Sequence, residues 1–168
     1  MRTAIARALL WFACVWWGVW FGGQLFNALM VVPYFSSGLP QSLTQWGQMR
    51  HNNLADFFVL FNSLWILLAL ALSLLLAWKS YGAARRWALS SLAAALLSFI
   101  FLVGWMVATI SRLVSPDNGG LPLAEIQILL HRWTVANWLR LGIELCGFVF
   151  ALLALSRSRA FEGSASSD

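Results

Sequence analysis

Residues 131–144 read HRWTVANWLRLGIE, and the spacing of Trp133, Asn137, Arg140 and Glu144 within them decides the fold. At about 100° per residue, steps of four, three and four keep these side chains within roughly 60° of one another on an α-helix. One stripe of an apolar helix therefore carries an indole, an amide, a guanidinium and a carboxylate. The run that follows, up to Leu155, is apolar enough for lipid. A charge below the bilayer surface costs about 2.5–3.5 kcal/mol on insertion scales, so Arg140 and Glu144 are expected to face protein or water and to mark a site.

Composition sets the class around that stretch. The chain has 168 residues, 61% hydrophobic and 10% charged, with a mean hydropathy of +0.75. A soluble domain of this size has no place for so much apolar surface. The expectation is an all-α integral membrane protein, an antiparallel four-helix bundle forming one domain over 1–160, with spans at about 9–32, 54–78, 87–110 and 134–155. Residues 161–168 read as a disordered tail, and the outer loop 33–53 as polar and turn-rich, with an interfacial helix around Gln41 to Asn52. The first span is too long and too uniformly apolar for a cleaved signal peptide.

The net charge of +5 does not point to nucleic acid, because the basic residues flank apolar runs in short clusters. Arg2, Arg7, Lys79, Arg85, Arg86, Arg157 and Arg159 fall on one side, and Arg50, Arg112 and Arg132 on the other. That bias predicts cytoplasmic termini and a multi-pass protein of a bacterial inner membrane. The partners expected are membrane lipid and a hydrophobic small molecule. The glycines of the first span, Gly18, Gly22 and Gly23, are where a homodimer contact is expected.

Intramembrane polarity concentrates at one depth. Counted inward from the outer boundary at about 1.5 Å per residue, Asn27 lies roughly 8 Å deep, Gln24, Asn62 and Glu144 about 12 Å, and Arg140 about 6 Å. An antiparallel bundle can gather these groups into a polar pocket open to the outer face, with Arg50, His51, Asn52, Asn53, Asp56 and His131 around its mouth and dry packing in the inner half. The third span, with Ser90, Ser91, Ala93, Ala94, Ala95, Ser98 and Gly104 and no ionisable group, reads as structural. Cys14 and Cys146 both lie inside spans and read as small apolar fillers, unpaired.

The spacing Trp133-x3-Asn137-x2-Arg140 at the head of the last span resembles the signature of the anthrone oxygenase-like family of four-span membrane proteins. The first span, ending in Asn27-Ala-Leu-Met-Val-Val-Pro33 before a loop with Pro40, is similar to that family's first helix, and the likeness runs from about Trp17 to Leu155. The chain departs from the pattern at Ala136, where a second Trp is common, and Pro116 and Asn118 match the family's outer Pro and Asn only loosely. The resemblance implies a small membrane enzyme that adds oxygen to an activated phenolic ring carbon without an organic cofactor.

Such chemistry needs a base for an acidic C–H proton, donors for the enolate, and a dry aromatic slot. Arg140 and Asn137 suit the enolate, and Glu144 or His131 the base. Trp133, Trp20 and Trp138 can supply walls, and Gln24, Asn27, Asn62, His131 and His51 further substrate contacts. Other readings stay open on the same residues. Arg140 and Glu144 can be an ion pair that pins a non-catalytic accessory subunit or a lipid- or small-molecule-binding protein, with Asn137, Gln24, Asn27 and Asn62 as interhelical glue. A haem- or quinone-binding redox subunit would rest on His51 and His131, although no metal site is expected from two unlinked histidines.

Overall fold

The computed structural model describes residues 1–49, 63–115 and 120–164. Helix α1, Arg2–Phe26, continues through a π-helical turn, Asn27–Val31, into α2, Val32–Ser36. Helix α3 is Gln41–Met49, α4 Ser63–Ala77 and α5 Ala84–Phe101. A second π-turn, Leu102–Met106, joins α5 to α6, Val107–Leu113, and α7 runs from Leu123 to Ser164. No strand occurs among the described residues. Three continuous helices, Arg2–Ser36, Ala84–Leu113 and Leu123–Ser158, are long and apolar enough to cross a membrane. Helix α4 is apolar but shorter; the expected start of that span, 54–62, lies outside the described residues, as do Arg50, His51, Asn52, Asn53, Asp56 and Asn62. Helix α7 extends past the domain end expected at residue 160.

A heptad-like period governs how these helices meet. The buried seam of α7 runs through Ile126, Leu130, Trp133, Asn137, Arg140, Glu144, Gly147, Ala151 and Ala154 in alternating steps of four and three, with Ala136, Leu141 and Leu155 buried beside it. Helix α1 buries Ala6, Leu10, Ala13, Trp17, Trp20 and Gln24 at the same spacing, which continues to Asn27 at the start of the π-turn. Helix α5 buries Ala84, Ala88, Ser91, Ala95 and Ser98, and α4 buries Ser63, Ile66, Leu70, Ser73 and Ala77. A 3.5-residue period is the condition for long helices to keep one seam against their neighbours. Helix α1 packs on α4 and α7, and α5 on the same two. The small side chains of α5 and α7 allow close approach, and Gly147 is required: a Cβ there would stand 2.5 Å from Trp17 Cζ2 and 3.1 Å from Ala94 Cβ.

The π-turns each absorb one extra residue. Continued by fours and threes, the α1 seam would reach Val31 and Tyr34, yet Val32 and Phe35 are buried and Tyr34 is 71% exposed. In the same way the α5 seam would reach Trp105, Thr109 and Arg112, but Met106, Ile110 and Leu113 face inward instead. The wider i→i+5 turn takes up the slip: Val32 N–H donates to Asn27 O, and Val107 N–H to Leu102 O.

Two apolar clusters result. At the end bearing Lys79, Arg85 and Arg86, the larger cluster joins Leu10, Trp17, Trp20, Ile66, Leu70, Ala88 and Ala151. At the opposite end, the residues beyond the π-turns meet Leu43 and Trp46 of α3 and Ile126, Leu130 and Trp133 of α7. Helix α3 folds across this end with its apolar side inward, tethered by Ser42 Oγ donating to Phe35 O at 2.5 Å. Trp46 stacks on Phe35 at 5.5 Å and meets Trp133 edge-on at 5.8 Å. Gly47 lies so close to the Val114 carbonyl that a Cβ would collide with it. Both cysteines are free, Cys14 buried and Cys146 exposed.

Candidate functional site

The polar groups of the helices gather between those two clusters. Arg140 is 2% exposed and Glu144 0%, with Gln24 and Asn137 equally enclosed. Arg140 Nη2 donates to Gln24 Oε1 at 2.6 Å and to Asn137 Oδ1 at 3.1 Å. The guanidinium lies over the Trp20 ring, 5.9 Å from its centroid, within range of a cation–π attraction. Glu144 Oε1 accepts from Trp20 Nε1 at 2.9 Å and from Ser98 Oγ at 2.8 Å. The seam explains the gathering: Gln24 and Trp20 on α1, Ser98 on α5, and Asn137, Arg140 and Glu144 on α7 are all seam positions at one level of the stack.

Arginine and carboxylate are neighbours without being hydrogen-bonded. Arg140 Nη1 stands 3.7 Å from Glu144 Oε1, beyond hydrogen-bond length. The amide oxygens of Gln24 and Asn137 hold the guanidinium off the carboxylate, which the indole and hydroxyl donors hold in turn. Arg140 Nε, Arg140 Nη1 and Glu144 Oε2 are left buried with no hydrogen-bond partner. Two donors and one acceptor thus remain open inside a low-dielectric interior, where each unpaired group carries its full desolvation cost.

Of the residues singled out in the sequence, Arg140, Glu144, Asn137 and Gln24 come together here. Asn27 is buried one turn further along, in the first π-turn, 7% exposed. Trp133 is buried in the cluster beneath α3, with its own Nε1 unpartnered, so it closes the site from above rather than lining it beside Arg140. His131 is exposed and Trp138 is 45% exposed, so neither faces the centre. His51 and Asn62 lie outside the described residues. No group of three or more metal-ligating side chains occurs among the described residues.

One expectation changes. The third span is not merely packing material: Ser98 supplies a hydroxyl to Glu144, a role hidden because serine is also small enough for a close helix contact. At the end where the pocket is expected to open, Leu43 and Trp46 of α3 pack with Phe35 and with Trp133 of the Arg140 stripe, while the expected mouth residues Arg50, His51, Asn52, Asn53 and Asp56 lie outside the described residues. Trp20, expected only as an aromatic wall, also donates its indole N–H to Glu144, and its step of four to Gln24 on the α1 seam is the signal that finds it.

The chain matches no protein-family model, no curated protein and no solved structure.

Proposed function

We propose that this protein is a four-span antiparallel bundle of the bacterial inner membrane, termini cytoplasmic, acting as an anthrone oxygenase-like enzyme on a flat, weakly acidic hydroxy-aromatic. What supports a ligand at the centre is a single observation: Arg140 Nε, Arg140 Nη1 and Glu144 Oε2 are buried and unpartnered side by side. Helix-pinning pairs are favoured only when their remaining donors and lone pairs are satisfied. A bound enol or phenol supplies an oxygen for the arginine and a proton for the carboxylate.

In this reading Glu144 Oε2 takes the acidic ring C–H proton while Arg140 holds the oxygen on which negative charge develops. Asn137 and Gln24 fix the plane of the guanidinium, and Trp20 and Ser98 hold the carboxylate. The carbanion then passes electrons to dioxygen. One dioxygen oxygen becomes the new ring carbonyl, and the other leaves as water with the two hydrogens lost from the ring carbon. The indoles of Trp20 below and Trp133 above keep the surroundings of the pair apolar.

Dioxygen uptake by the purified protein in detergent, with a panel of anthrones and hydroquinones, tests the reading. Uptake with one substrate by the parent, abolished in an equally folded Arg140→Gln variant, supports it. No uptake by well-folded parent across the panel removes the enzymatic reading and leaves binding without turnover.

A further inference from the structure

At the end of the molecule remote from α3, two arginines from different helices converge on one indole. Arg86 of α5 has its Cζ 5.2 Å from the Trp87 ring centroid, and Arg157 of α7 lies 5.6 Å from the same centroid. Both arginines are exposed, while Trp87 is half-buried and leans on Phe150 at 5.7 Å. Neither guanidinium forms an ion pair among the described residues. Two like charges drawn to one ring repel each other, and no acidic side chain among the described residues pairs with either. Stacking on an indole uses the flat face of a guanidinium and leaves its in-plane N–H donors free, the arrangement that receives the oxygens of a phosphate.

The surroundings say which phosphate. From this rim toward the middle of the molecule, the outer surfaces of α5 and α7 carry Leu89, Val149 and Leu152, respectively 39%, 43% and 42% exposed. The two helices that carry the arginines thus also expose apolar side chains to which acyl chains can pack. Arg85 makes a related contact, 4.9 Å over Trp78, but as a single guanidinium on another indole. We propose that Arg86, Trp87 and Arg157 form a binding site for the phosphate of an anionic phospholipid in the leaflet at this end. The site is independent of the chemistry at Arg140 and Glu144.

Native mass spectrometry of the full chain in detergent, titrated with phosphatidylglycerol, phosphatidylcholine or inorganic phosphate, tests it. The parent is expected to retain one phosphatidylglycerol in preference to phosphatidylcholine. The Arg86→Gln/Arg157→Gln pair is expected to bind it about thirtyfold more weakly, the effect of two cations at an anionic surface. Arg85→Gln is expected to bind like the parent. If the glutamine pair fails to fold, the Arg86→Lys/Arg157→Lys pair, which keeps charge but not the stacked fork, is expected to bind more weakly than parent. Equal binding of phosphatidylcholine, or undiminished phosphatidylglycerol binding in whichever pair folds, overturns the site. Inorganic phosphate displacing the lipid at equal concentration overturns the lipid as its source.

Discussion

The helices bury polar groups at both ends of one seam system and treat them differently. Near the basic end, the Ser73 and Tyr81 hydroxyls hydrogen-bond to each other and share the Ala6 carbonyl as acceptor, with Ser73 Oγ 2.7 Å and Tyr81 OH 3.2 Å from it. One layer further in, Trp17 Nε1 donates to Ser91 Oγ, which donates to Gly147 O. Neither layer leaves a side-chain polar atom of these residues unpaired. The layer of Arg140 and Glu144, built by the same helices at the same spacing, leaves three. The Ser73–Tyr81 and Trp17–Ser91 layers show that these helices can close a polar layer on themselves, although Ser63 Oγ at the start of α4 is also buried without a partner. The proposed site rests on the three open atoms of the charged layer, all on one arginine–carboxylate pair.

The largest effect that separates the two layers comes from removing one charge. Arg140→Met leaves Glu144 buried and unpaired and is expected to cost about 3–5 kcal/mol, read as a fall in thermal stability in detergent. Arg140→Met/Glu144→Leu is expected to recover most of that loss, since a well-packed apolar pair replaces a buried ion pair at little net cost. If the double variant is as unstable as the single, the charged layer is structural in the way the inner layers are.

Gly147→Leu attacks the middle layer. Its side chain must displace Trp17 and so break the bond to Ser91, an overpacking cost of about 1–3 kcal/mol, expected without any change in ligand binding at Arg140. A smaller effect is expected from deleting Leu29, which is exposed within the first π-turn. Removing the extra residue turns the π-turn into plain α-helix while Val32 and Phe35 stay on the seam. Deleting Leu89 from the regular part of α5 should instead rotate the seam beyond it and prevent folding. Equal damage from both deletions would contradict the phase-slip account.

Tyr81→Phe is expected to be the mildest change. Ser73 keeps its bond to Ala6 O, so the loss is that of one hydrogen bond, about 0.5–1.5 kcal/mol. Burial pushes the Tyr81 phenol up from its ordinary value, with the Ser73 bond pulling it partly back. Its contribution is thus complete below the ordinary phenol pKa of about 10 and is lost as pH rises above it. The parent's high-pH loss of stability should be shallower in the phenylalanine variant.

Much of this arrangement is legible in the sequence. Steps of four, three and four in Trp133, Asn137, Arg140 and Glu144 place the last three in one buried layer, and matching depth brings Gln24 to them. A helix expected around Gln41 to Asn52 is present over Gln41–Met49 of the described residues. The cap was not legible because an amphipathic segment such as α3 shows that it has an apolar side, not what that side covers. The π-turns were hidden for a different reason. A one-residue slip leaves apolar residues on both phases, and Val31 and Val32, or Trp105 and Met106, look alike by hydrophobicity. Ser98 was masked because a run of small residues fits close packing whether or not one of them donates a hydrogen bond.

Binding of a hydroxyanthrone to the detergent-purified protein, followed by quenching of tryptophan fluorescence, tests the central claim most directly. The parent and the Arg140→Met/Glu144→Leu variant are compared at equal folded amount. Binding by the parent that is lost in the still-folded double variant is predicted, because the open donors and acceptor of Arg140 and Glu144 hold the ligand. Equal binding by both proteins, or by neither, would contradict a ligand site at this layer and make it a structural layer like the two beneath it.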